Sequence, residues 1–203
     1  MDLFNAYLLE KSSKAAAFGN ERLYISVRDR IHLSLASVEN SSTELALNSA
    51  LISKYSESGR YVLCKGIVFD LLLSIYDVNT RSFFAFRSMQ QEDLKEPIKK
   101  FIRQLKRPNL EIRAIGMQNT AKDYTSELSS MLERAYELAK PYARLVEVDL
   151  FGSEQRHIAI DTKLGMTFDL LLLNRFYKPG ELANQTSAEQ FRQAASSVFQ
   201  KQK

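Results

Sequence analysis

The sequence predicts an α/β (α+β) fold, a mixed, largely antiparallel sandwich with covering helices, and three observations predict it. Apolar and polar residues alternate strictly from Leu23 onward, which marks a half-buried strand. Two runs rich in Val, Ile, Leu and Phe flank a turn at Asp77-Val78-Asn79-Thr80. Residues 120–140 then place Leu128, Met131, Leu132, Tyr136 and Leu138 at helical spacing.

Taken in order, Leu3, Phe4, Tyr7 and Leu8, with residues 15–18 after them, recur near a helical period, and Gly19-Asn20 supplies a stop. An N-terminal helix follows from that pattern. Between 23 and 35 the odd positions are apolar except Asp29, while Ser26, Arg28, Arg30, His32 and Ser34 hold the even ones, as in a strand or hairpin. Ser41-Ser42-Thr43-Glu44 has the form of a capping box, and Leu45, Leu47, Leu51 and Ile52 follow it, so a helix ending at Gly59 is expected. Residues 61–76 and 82–89 read as a β-hairpin. The next helix, within 90–107, should begin near Glu96, because Pro97 is tolerated only in a first turn. A short strand over 110–117 precedes the long helix of 120–140, which Pro141 closes. Strands are expected over 145–150, 155–161 and 166–174, the last two joined by Thr162-Lys163-Leu164-Gly165. The phrases at 68–73 and 167–173 resemble each other, but buried strands draw on a small apolar alphabet and chance explains the echo.

A chain of 203 residues with 45% hydrophobic content can bury one sizeable core, so residues 1–177 are expected to form a single domain. Residues 178–203 read as a polar tail whose weak helical patch is Phe191, Ala194, Ala195 and Val198. Asp2, Glu10, Lys11 and Lys14 interrupt any apolar run near the start, and no later run reaches the length of a membrane span. A single cysteine, Cys64, excludes an intramolecular disulfide, and with two histidines it is too little for a Cys/His zinc site. A soluble protein of the reducing cytoplasm, without metal or cofactor, is the expectation. The net charge is +4, from 28 basic against 24 acidic residues. Lys99, Lys100, Arg103, Lys106 and Arg107 cluster beside Glu92, Asp93 and Glu96, which suits a solvated face better than a phosphate-binding stripe.

Three segments resemble the chemoreceptor glutamine deamidase (CheD) family. Ile75-Tyr76-Asp77, with its turn and second strand, is similar to that family's catalytic strand and hairpin. Ile115-Gly116-Met117-Gln118-Asn119 is similar to its Phe-Gly-Gly-Ala-Asn. Asp149-Leu150-Phe151-Gly152-Ser153, with Arg156 and Gly165, keeps the spacing of its Asp-Leu-Gly-Gly-Thr, arginine and turn glycine. The resemblance implies a CheD-like fold. The family attacks a glutamine amide with a cysteine thiolate and uses a histidine as base. On matched positions the cysteine falls on Asp70 and the histidine on Arg87, a degenerate pair: Asp70 has no histidine to activate it, and a guanidinium does not give up its proton.

Cys64 and His157 are the residues an active hydrolase would have to use. Cys64 lies in an apolar strand and reads as a plain core or edge cysteine, and His157 as an exposed strand residue opposite Ile158 and Ile160. Asp70, among Val68, Phe69, Leu71 and Leu72, is either paired with Arg87 or faces water from an edge. A non-enzymatic adaptor or regulatory protein is the expected function, a bacterial secretion adaptor being one form, and its partner is a protein. Phe83, Phe86, Phe191 and Val198 are the candidate contacts. A cysteine-dependent deamidase or hydrolase is the alternative, and nucleic-acid binding through the basic helix a weaker one.

Overall fold

The computed structural model describes residues 3–7, 22–54, 60–89, 93–117, 122–152 and 154–172. The expected tail contacts, Phe191 and Val198, lie outside the described residues. The strands are β1 (Arg22–Ser26), β2 (Ile31–Ser34), β3 (Ser42–Glu44), β4 (Ser49–Lys54), β5 (Tyr61–Ile67), β6 (Leu71–Asp77), β7 (Ser82–Ser88), β8 (Leu110–Gly116), β9 (Ala143–Phe151), β10 (Arg156–Asp161) and β11 (Met166–Leu171). The helices are α1 (Leu35–Val38), α2 (Lys95–Arg103) and α3 (Lys122–Ala139), with a further helical turn at residues 3–7.

Two mixed sheets result, one ordered β1-β9-β8-β6-β7-β4 and the other β2-β11-β10-β5-β3. β6, β7 and β8 are buried along their whole length, because the larger sheet is covered on both faces. On its outer face Leu73, Ile75, Phe84 and Phe86 pack in one cluster with Ile98 and Phe101 of α2 and Leu128 and Leu132 of α3. Phe4 of the first helical turn stacks on Tyr136 of α3, with ring centroids 3.9 Å apart. On its inner face Leu72, Phe83 and Ile115 meet Val62, Cys64, Ile67, Ile158 and Ile160 of the smaller sheet. A third cluster, Leu35 and Val38 with Leu63 and Phe168, closes the outer face of the smaller sheet. The α+β sandwich expected from the sequence is what forms.

Residues 22–54 supply both edges of both sheets: β1 and β4 flank the larger one, β2 and β3 the smaller. Two expectations fail here for that reason. The alternating stretch from Leu23 is neither one strand nor a hairpin, since β1 pairs with β9 and β2 with β11, in different sheets. The capping-box helix is absent as well. β3 runs parallel to β5 and β4 antiparallel to β7, so cross-strand pairing overrides the local helix signal, and Asn48 at φ 54° turns the chain between them. The expected hairpin is β6 with β7, whereas β5 belongs to the other sheet. α2 starts at Lys95, within a residue of expectation, and Pro97 falls in its first turn.

Between the sheets, beside the apolar layer, lies a layer of buried charge. Asp149 of β9 accepts hydrogen bonds from Arg22 Nε and Nη2 at 2.7 Å and from Arg30 Nη1 at 2.5 Å, and Arg156 Nη2 lies 2.9 Å away. Glu147 accepts from Arg30 Nε and from the Thr167 hydroxyl, while Glu111 binds Arg113 and Arg144 at 2.7 Å. Burial acts to raise the Asp149 pKa, but the Arg22 hydrogen bond and the nearby Arg30 and Arg156 outweigh it and hold the carboxyl below its ordinary value. Glu111 is lowered in the same way, burial being outweighed by Arg113 and Arg144.

Asp149→Ala should cost about 3–5 kcal/mol in urea unfolding, because it removes the carboxylate that two buried guanidinium groups share. Both carboxyls are lowered in the folded state, so the unfolded chain binds their protons first. Their contribution should be complete above the ordinary carboxylate pKa and be lost as pH falls below about 4, which unfolding curves at a series of pH values would read.

Candidate functional site

β8 and β9 run parallel and finish together, at the end where β6 begins and where Gly116 pairs with Leu71 and Leu150. Much of the left-handed backbone of the described residues gathers there, at Gly66, Gly116, Met117, Phe151 and Gly152, with Asn48 beside them before β4, while Arg81 and Gly165 lie in turns at the other end. Met117 and Phe151 hold φ at 61° and 63°, which bulky L-residues adopt only under constraint. The constraint is visible. Met117 N–H donates to the Asp70 carbonyl at 2.9 Å, and Arg156 Nη2 donates to the Phe151 carbonyl at 2.7 Å. A Cβ on Gly116 would fall 2.0 Å from the Asp70 carbonyl oxygen, so only glycine lets β8 end against that loop.

Asp70 and Arg87 meet at the centre of this end. Arg87 Nε donates to Asp70 Oδ2 at 2.5 Å, and both side chains are buried. The pair's remaining capacity goes to the backbone: Asp70 Oδ1 accepts the Val68 N–H at 2.9 Å, and Arg87 Nη2 donates to the Gly66 carbonyl at 3.0 Å. Of the two sequence readings of Asp70, the paired one holds. Gly66 N–H in turn donates to His157 Nδ1 at 3.0 Å. His157 sits in a register irregularity between Arg156 and Ile158 and is half-buried rather than exposed. Burial, then the charges of Arg87 and Lys65, lower its pKa below 6.5.

Cys64 pairs across the strands with Ile158 and is 0% exposed within the inter-sheet cluster. Burial pushes its thiol pKa up to about 12, the opposite of what a nucleophile needs. Cys64 and His157 therefore do not form a thiolate and base: the imidazole acceptor is occupied by Gly66. Phe83 and Phe86, expected as contacts, are 0% and 6% exposed, because β7 is an inner strand with its faces in the two cores. Among the described residues, an exposed aromatic at this end is Phe69, at 48%, beside Asp70. It was legible only as part of an apolar run. The described residues hold no cluster of three or more His, Cys, Asp or Glu that could bind a metal ion, and none of their helices is long and apolar enough to cross a membrane. A separate cleft of about 540 Å³ lies between α2 and α3, where Leu94, Met131 and Leu138 alternate with Lys95 and Arg134. No family model and no curated protein matches the chain.

Neutral His157 accepts the Gly66 N–H, and its pKa is lower folded than unfolded, so its contribution should be complete above about pH 6.5 and fade as pH falls through the folded value. The hydrogen-exchange protection factor at Gly66, which corrects for the intrinsic slowing of exchange in acid, should fall on acidification. His157→Asn, which keeps an acceptor near the Nδ1 position but does not titrate, should remove that fall. Native Cys64 should resist a thiol reagent at pH 8 and react fully in denaturant.

Proposed function

We propose that the chain is a non-enzymatic adaptor or regulatory protein of the cytoplasm, built on a scaffold similar to the glutamine deamidases, with a protein as its partner. The observation that carries this reading is the buried Asp70–Arg87 pair, which stands at the positions matched to the family's nucleophile and base. A carboxylate whose oxygens are taken up by a guanidinium and a backbone N–H lacks the nucleophilicity of a thiolate. The segments of the resemblance support it too, since Gly116-Met117, Phe151-Gly152 and Arg156 all converge on the same end as Asp70. With the reacting groups replaced, the accessible feature there is Phe69, an aromatic anchor on a loop clasped at both sides.

The wild-type protein should release no ammonia from glutamine peptides above a blank. Release that Cys64→Ala or His157→Ala abolishes would instead establish the hydrolase. For the interaction, a captured partner should bind Phe69→Asp at least about tenfold more weakly, with the melting temperature unchanged. Undiminished binding would move the contact elsewhere, the α2/α3 cleft being the next surface to substitute.

A further inference from the structure

Among the described residues, the opposite end of the sandwich holds four turns, 78–81, 104–109, 140–142 and 162–165, tied to one another or to a neighbouring strand by hydrogen bonds. Val78 N–H donates to the Asn109 carbonyl at 2.9 Å, Asn79 Nδ2 to the Arg107 carbonyl at 2.7 Å, Leu110 N–H to the Tyr142 carbonyl at 2.8 Å, and the Tyr76 hydroxyl to the Lys163 carbonyl at 2.6 Å. Arg81, Lys106, Arg107, Lys140, Arg144 and Lys163 are all exposed on or next to these turns. Three acids of the same region are turned inward. Asp77 is buried and accepts the Thr80 and Asn109 N–H groups; Asp161 is buried and accepts those of Lys163 and Leu164; Glu111 is buried between Arg113 and Arg144. Exposed Glu137 lies 3.3 Å from Lys140. Among the described residues, charges that balance in the sequence are thus segregated in space, and their surface at this end is cationic. Among the cations stand three exposed apolar side chains, Val78, Tyr142 and Leu164.

We propose that this end docks on the surface of an anionic lipid bilayer. The cations meet the lipid headgroups, while Val78, Leu164 and Tyr142 enter the headgroup layer. Charge complementarity gives the sign of the partner, and the shape and chemistry of the tips give its kind. The cations sit on separate projecting turns, which suits a plane. Aliphatic tips have no stacking role on a nucleic acid, whereas aliphatic groups with an interfacial tyrosine suit a membrane boundary. The inference is independent of the candidate site, which lies at the other end.

Sedimentation with vesicles tests it. The full chain should bind vesicles of roughly three parts phosphatidylcholine to one part phosphatidylserine and release as salt rises from about 0.1 to about 0.5 M, with little binding to phosphatidylcholine alone. Lys106→Glu/Arg107→Glu/Lys140→Glu should weaken binding by about a hundredfold or more, at roughly fivefold per charge. Val78→Ser/Leu164→Ser should weaken it by about tenfold and leave the salt dependence in place. Equal binding to neutral and anionic vesicles overturns the proposal, as does tighter binding to single-stranded RNA or a polyglutamate peptide at the same salt. The lipid and salt dependence of the wild-type chain decides the matter even where a variant fails to fold.

Discussion

Asp149 receives guanidinium groups from three parts of the chain: Arg22 on β1, Arg30 in the link from β1 to β2, and Arg156 on β10. A carboxylate with no exposed side-chain surface would be prohibitive alone, and so would the nearly buried Arg30 and Arg156. Together they are compensated, and the compensation dictates topology. Burial works against the charge of Arg30, yet Glu147, Asp149 and Asp169 keep it protonated. The chain must therefore cross from the larger sheet to the smaller at the point where Arg30 can reach all three. Arg156, reaching back from the smaller sheet, also fixes the Phe151 carbonyl and with it the left-handed end of β9. The sheets are joined by apolar packing under β6 and β7 and by charge under β8 and β9.

That joint explains what could be read in advance and what could not. β6 to β11 and both long helices follow from local signals, because their apolar periodicity and their tertiary role agree. Residues 22–54 do not. Their strands are edges, each held by one neighbour distant in sequence, and the same alternating pattern serves a hairpin or a change of sheet equally well. Arg30 falls on the polar phase of that pattern, and nothing local distinguishes an arginine facing water from one whose partners lie 117 and 119 residues away. The capping box at Ser41 fails similarly, since a preference worth about 1 kcal/mol yields to pairing with β5.

The candidate site was partly legible for a related reason. Asp70 and Arg87 stood out because a carboxylate in an apolar run needs a cation nearby, and register across the hairpin supplied one. The roles of Gly66 and His157 depend on an irregularity between β5 and β10 that composition does not encode. Phe83 and Phe86 failed as contacts on geometry: alternate residues of a strand covered on both faces have no surface to offer. Burial of charge is equally hidden from composition: Glu111 is buried and paired with Arg113 and Arg144, which a count of acids and bases does not show.

The Asp70–Arg87 pair also changes what this end of the molecule can be used for. A thiolate and imidazole must stay open to substrate and exchange a proton, which keeps their surroundings partly wet and adjustable. The carboxylate and guanidinium of this pair are taken up by each other, their spare hydrogen bonds go to Val68 and Gly66 before Phe69, and the Asp70 carbonyl after it accepts the Met117 N–H. The loop is thereby clasped at both shoulders with its aromatic tip outward. Fixing a recognition loop before binding lowers the entropy lost when a partner arrives. On the function proposed above, an ion pair at these positions exchanges reactivity for preorganisation, and the surface it preorganises would be one for contact.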